Sequence, residues 1–131
     1  MEQNRIVVKF KNRSVLKGKT NDFFPNRNRF HMELTDGSIR DIVVEDLKAI
    51  FFVKDFEGNK DHKDSYNDVI SNAGRKTKVK FKDGEIIYGY TLGYSPDRQG
   101  FYLTPADLGG NNERIFIVTS ATENVQFVSK S

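Results

Sequence analysis

Side chains able to do acid–base or nucleophilic work are sparse in this 131-residue chain, which has no cysteine and two histidines, His31 and His62. Nucleophilic catalysis needs a hydroxyl or thiol activated by a neighbouring base, so only these two imidazoles qualify as that base. His31 follows Phe30 in an alternating stretch and reads as a polar, aromatic-sized side chain on a strand surface. His62 lies in Asp61-His62-Lys63-Asp64. One imidazole among carboxylates, with no second histidine close by, falls short of a metal-ligand pattern. The carboxylates are scattered, so no acid–base pair stands out. Gly109-Gly110 lacks the lysine and the following Ser or Thr of a phosphate loop and reads as a hairpin tip. The expectation is a protein that is not an enzyme, with no catalytic residue, no metal and no cofactor.

Two features point instead to binding. The first is a pair of loops, Pro25-Asn26-Arg27 with Arg29 close behind, and Pro96-Asp97-Arg98. Proline followed by Asn or Asp is a strong turn former, but a turn does not need the arginine. Flanked by Phe23, Phe24 and Phe30, or by Tyr94 and Phe101, that arginine is placed for cation–π contact or for clamping an anion. The second feature is a lysine face: Lys9, Lys11, Lys17 and Lys19 in one stretch, and Lys76, Lys78, Lys80 and Lys82 in another. Such lysines either discourage edge-to-edge aggregation or track a phosphate backbone, with Tyr88, Tyr90 and Tyr102 available for stacking.

The elements that carry these residues occur twice. Val8-Lys9-Phe10-Lys11 recurs as Val79-Lys80-Phe81-Lys82, an offset of 71. Leu16, Gly18, Thr20, Pro25, Arg27, Phe30 and Met32 meet Ile87, Gly89, Thr91, Pro96, Arg98, Phe101 and Leu103 at the same offset. Ile42-Val43 then matches Ile117-Val118, and Ile50, Phe52 and Val53 match Val125, Phe127 and Val128, at an offset of 75. Four extra residues in the second copy fall most simply within Leu108-Gly109-Gly110-Asn111-Asn112. Each copy alternates apolar and polar residues with the period of a half-buried strand. Asp83-Gly84 suits a tight hairpin, with Asn12-Arg13 in the same place in the first copy. Gly18 and Gly89 suit a sharp bend in the second strand. Five short, bent strands in some 50 residues favour a small barrel, which removes sheet edges. The expected architecture is all-β: two five-stranded barrels at 1–53 and 75–131, packed on each other because each alone buries little core. Between them, 54–74 reads as a polar linker in which Tyr66, Val69 and Ile70 can form one helical turn.

Net charge is +3 overall, divided as +3 in 1–53, −2 in 54–74 and +2 in 75–131. This permits an anionic partner without amounting to a dedicated basic patch. The longest apolar runs, such as Ala49-Ile50-Phe51-Phe52-Val53, are far short of the roughly 20 residues that span a bilayer. The first residues, Met1-Glu2-Gln3-Asn4-Arg5, lack the apolar stretch of a signal peptide. With no cysteine, the expectation is a cytoplasmic protein that does not insert into membranes.

Lys78-Val79-Lys80-Phe81-Lys82-Asp83-Gly84-Glu85-Ile86-Ile87-Tyr88-Gly89 resembles the opening motif of the Sm-like barrels, a branch of the Src-homology-3-like small barrels. There, a lysine-rich strand leads through Asp-Gly into a strand with a central glycine. The segments Ile42 to Val53 and Ile117 to Val128 stand where that family's second motif falls. The resemblance implies single-stranded RNA binding on an oligomeric ring, through the loops around Pro25 and Pro96 and through Glu45-Asp46 and Ser120-Ala121. The chain departs from the family pattern in lacking an Arg-Gly signature at both of the latter loops. The ending Leu47 to Lys54 is also similar to that of uncharacterised bacterial domains, which implies no activity. Taken together, the residues favour an interaction or adaptor module whose partner is another protein. RNA or another anionic ligand is the alternative, and a homo-oligomer is compatible with both.

Overall fold

A computed structural model describes residues 4–54, 74–105 and 112–128. Ten strands appear in two runs of five. The first run is β1 (Asn4–Phe10), β2 (Val15–Thr20), β3 (Arg29–Leu34), β4 (Ile39–Val43) and β5 (Leu47–Val53). The second is β6 (Arg75–Phe81), β7 (Ile86–Thr91), β8 (Gly100–Pro105), β9 (Asn112–Val118) and β10 (Thr122–Phe127). One 3-10 turn precedes the last strand of each run, Val44–Asp46 and Thr119–Ala121. These turns stand where Glu45-Asp46 and Ser120-Ala121 were expected as loops.

Local signals place the elements. In β1, Ile6 and Val8 are fully buried between more exposed neighbours, as strand alternation requires. At the hairpin after β6, Gly84 adopts φ 95°, and Arg13 takes φ 75° at the matching turn of the first run. The second strands end at Thr20 and Thr91. Each threonine hydroxyl there donates across the sheet, to the carbonyls of His31 and Tyr102, both at 2.8 Å.

The strands form one open antiparallel sheet in the order β10-β6-β7-β8-β9-β5-β1-β2-β3-β4. The all-β class expected from the sequence is shown; two five-stranded barrels packed on each other are not. In neither run do the fourth and fifth strands pair with each other; β5 and β9 pair across the runs instead, from Ala49 opposite Ile117 to Phe52 opposite Arg114. The reason lies in β5, all seven of whose residues are buried. Its alternate side chains point to opposite faces, and both rows are largely apolar, so one run alone covers only one of them. Ile50 and Phe52 enter a core with Ile6, Val8, Phe30 and Met32, while Ala49, Phe51 and Val53 enter the other core with Val79 and Phe81. In return, Phe116 and Val118 of the second run complete the first core. The expected linker, with its helical turn on Tyr66, Val69 and Ile70, lies outside the described residues apart from its ends, Lys54 and Gly74. The same holds for Leu108 to Asn111 at the expected hairpin tip.

The central glycine of the second strands answers to close backbone approach. A Cβ at Gly18 would stand 2.2 Å from the Glu33 carbonyl oxygen, a backbone atom that cannot swing away. Gly18→Ala is therefore expected to destabilise the fold by about 3 kcal/mol. Gly37→Ala meets nothing within 4 Å at its φ of 88° and should cost only about 1 kcal/mol of left-handed strain. Equal losses for the two variants in urea denaturation would contradict this account.

Candidate functional site

Pairing β5 with β9 brings the two arginine loops to one place. Each is a tight turn, closed by Arg27 N–H to the Phe24 carbonyl at 3.0 Å and by Arg98 N–H to the Ser95 carbonyl at 3.2 Å. The Gln99 side-chain amide crosses between them, donating to the carbonyls of Pro25 at 2.7 Å and Arg27 at 2.5 Å. Beside this clamp runs a groove of about 360 Å³ lined by Pro25, Leu92, Arg98, Phe101, Tyr102 and neighbours. Leu92 stands 82% exposed at its rim. The Arg114 guanidinium lies over the Phe52 and Tyr102 rings at 4.4 and 5.4 Å.

Of the seven expected ligand contacts, Pro25 and Arg98 line the groove. Arg27 stacks on Phe24 at 5.2 Å, and Arg29 is tied to Asp41 on β4 at 3.1 Å. Asn26, Pro96 and Asp97 form the exposed turns but are not among the lining residues. Leu92, Gln99 and Arg114 carry no repeated motif, and only the joint between the runs shows their role.

The lysine face divides. Lys9 lies over the Phe51 ring at 4.6 Å, and Lys80 reaches Glu123 at 3.5 Å. Lys76, Lys78 and Lys80 form a half-buried row on β6, with Tyr88 opposite Lys78. Lys11 and Lys82 meet at a smaller pocket of about 180 Å³, where the Lys11 ammonium donates to the Ser120 hydroxyl at 2.7 Å. Tyr90, expected as a stacking surface, is buried at 6% exposure, because it points into the wall of the groove. His31 is exposed and held by Asp22, Nδ1 to Oδ2 at 3.0 Å. Among the described residues no three His, Cys, Asp or Glu side chains gather to hold a metal. No described helix is long and apolar enough to cross a membrane.

Sequence reasoning passed over Lys48, the one charged residue in β5. The residue is 8% exposed, and its ammonium pairs with Asp83 at 2.8 Å and with Glu85, both at the β6–β7 turn of the other run. Burial alone would lower the Lys48 pKa, but hydrogen bonds to the two carboxylates outweigh it and hold it above the usual lysine value. Hydrogen bonds from the Lys48 ammonium and the Glu85 N–H hold Asp83 below the usual carboxylate range. A charged residue inside an apolar strand was the available signal, since such a group is seldom buried unpaired.

A model of a family of unknown function, DUF6982, matches residues 2–129. The chain belongs to this family. No curated protein and no solved structure matches it.

In this DUF6982 chain the Lys48 cluster ties the two runs together electrostatically, which gives it a pH signature. A carboxylate depressed in the folded state contributes stability that is present above its unfolded pKa and lost as pH falls through the folded one. Lys48→Met should destabilise the protein by about 2 kcal/mol at pH 7, less than a fully enclosed pair because both carboxylates are partly solvated. The difference from the unsubstituted protein should shrink below pH 4. A deficit that stays constant from pH 7 to pH 3 would show that Lys48 acts through packing alone.

Proposed function

We propose that this chain is a non-catalytic binding module, an adaptor of the cytoplasm, whose partner is a protein segment held in the groove beside the paired arginine loops. In this reading each run is a curled, Sm-like half, and the groove, lined mainly by the second run, takes Pro25 from the first. The observation that carries the reading is the Gln99 clamp between the loops, which fixes Pro25 and Arg98 beside one apolar floor. Apolar walls with a few fixed polar groups are what a binding groove requires. Phe101 and Leu92 suit an apolar side chain, while Arg98 suits a carboxylate on the same extended segment.

The second reading, single-stranded RNA, is supported by the row Lys76, Lys78 and Lys80 beside Tyr88. Against it, Lys11 and Lys80 are already engaged by side chains of the protein.

Peptides selected from a displayed random library on the purified protein provide the test. Their binding should weaken at least tenfold with Arg98→Ala or Leu92→Ala and stay unchanged with Lys78→Ala. Peptides insensitive to both groove substitutions would overturn the reading. Tight binding of mixed-sequence single-stranded RNA that falls steeply with salt, and drops further with Lys78→Ala plus Lys80→Ala, would install the RNA reading instead.

A further inference from the structure

The groove has a counterpart in the first run, and there the same positions are polar. At the 71 and 75 offsets of the repeat, Tyr90, Leu92, Gly93, Tyr102, Thr104 and Phe116 stand where the first run has Lys19, Asn21, Asp22, His31, Glu33 and Asp41. The first run joins these positions by two side-chain pairs, Asp22 with His31 at 3.0 Å and Arg29 with Asp41 at 3.1 Å. In the second run each pair gives way to a glycine and a ring, Gly93 with Tyr102 and Gly100 with Phe116. A Cβ at Gly93 would meet nothing within 4 Å, so the space that a side chain takes at Asp22 is open here. A Cβ at Gly100 would stand 2.4 Å from the Phe116 ring, so that ring packs on bare backbone at the base of the groove.

One charge survives these replacements. Arg98 keeps the place of Arg27, and among the described residues it is the one charged side chain that lines the groove. Arg27 rests on the Phe24 ring at 5.2 Å, but the counterpart of Phe24 is Ser95, which offers no ring. Arg98 is exposed, and among the described residues no side chain pairs with its guanidinium. Arg114, stacked on Tyr102 at 5.4 Å, adds a second positive charge close by. Apolar walls around an uncompensated guanidinium select a ligand that is itself apolar and carries a negative charge. At about 360 Å³ the groove is near the small end of ligand-pocket volumes, a size for the end of a chain rather than for a long segment passing through.

We propose that what enters this groove is the C-terminus of the partner protein. Its last residue is large and apolar and lies against the exposed faces of Leu92 and Tyr102, while its free α-carboxylate is taken by the Arg98 guanidinium in a bidentate pair. This rests on the groove being the binding site and adds which part of the partner it reads. A chain end carries both required properties in one residue, an apolar side chain and a carboxylate on the same Cα. An internal segment must bring its acid from a different residue and leave the groove at both ends.

Fluorescein-labelled pools of short random peptides ending in phenylalanine, made as the free acid and as the C-terminal amide, test this by anisotropy with the whole chain. The acid pool should bind at least tenfold more tightly than the amide pool. Arg98→Gln should remove that difference by weakening the acid pool and leaving the amide pool unchanged. Arg98 is exposed in its turn, so the substitution does not threaten the fold. Arg40→Gln, which takes the same charge from an exposed position on β4, should leave the preference intact. Leu92→Ala should weaken both pools. Equal binding of acid and amide, with both sensitive to Leu92→Ala, would overturn the terminal carboxylate and keep the groove as a site for internal segments. A preference for the acid that survives Arg98→Gln would overturn it as well. If neither pool binds while displayed library peptides bind through Leu92 and Arg98, the C-terminus is again excluded and the groove stands. If no peptide of any kind depends on the groove, both readings fall.

Discussion

The pairing of β5 with β9 is the constraint on which the rest of the molecule depends. β5 is the one strand with all seven residues buried, and it stands between β1 and β9 with both backbone edges engaged. Each hydrophobic side chain it buries contributes about 1.5–3 kcal/mol, and those side chains divide between two cores. The two runs are therefore not neighbours that happen to touch. Each core contains side chains from the other run, Phe116 and Val118 in one and Ala49, Phe51 and Val53 in the other. Lys48 follows from the same geometry: a cation in the central strand is tolerable only because the opposite run sets Asp83 and Glu85 against it.

Much of this was legible in the residues. Alternation at Ile6, Val8 and Phe10, and again at Val79 and Phe81, located the strands because a half-buried strand imposes that period. The pairs Asp83-Gly84 and Asn12-Arg13 located turns because their second position needs positive φ, as Gly84 and Arg13 show. Gly18 was legible as a special position, although its cause is a carbonyl 2.2 Å from where a Cβ would stand. That the runs pack together was expected from their small cores; that they do so by pairing β5 with β9 was not legible. A five-stranded segment with two bare edges satisfies the same pattern whether it closes on itself or pairs with its neighbour, and the choice rests on which apolar row of β5 remains uncovered.

The candidate site was legible in part for the same reason. Repetition marked Pro25 and Arg98, since a turn recurs where its chemistry does. Gln99 and Arg114 act across the joint, and like the exposed Leu92 they leave no local trace. Tyr90 has the composition of a surface aromatic, yet the groove wall covers it. Arg29, grouped by sequence with the loop, spends its guanidinium on Asp41 at the far edge. The loop clamp and the charge cluster are both consequences of which strand β5 pairs with.

Native-state hydrogen exchange on the amides of Ala49–Phe52 and Ile115–Ile117 tests that central pairing most directly. If β5 and β9 form one shared joint, both strands open only with global unfolding, at the same free energy and with the same denaturant dependence. Exchange of 115–117 through a cheaper opening, while 49–52 stays protected, would mean that the runs fold as separate units and that the joint does not hold the molecule together.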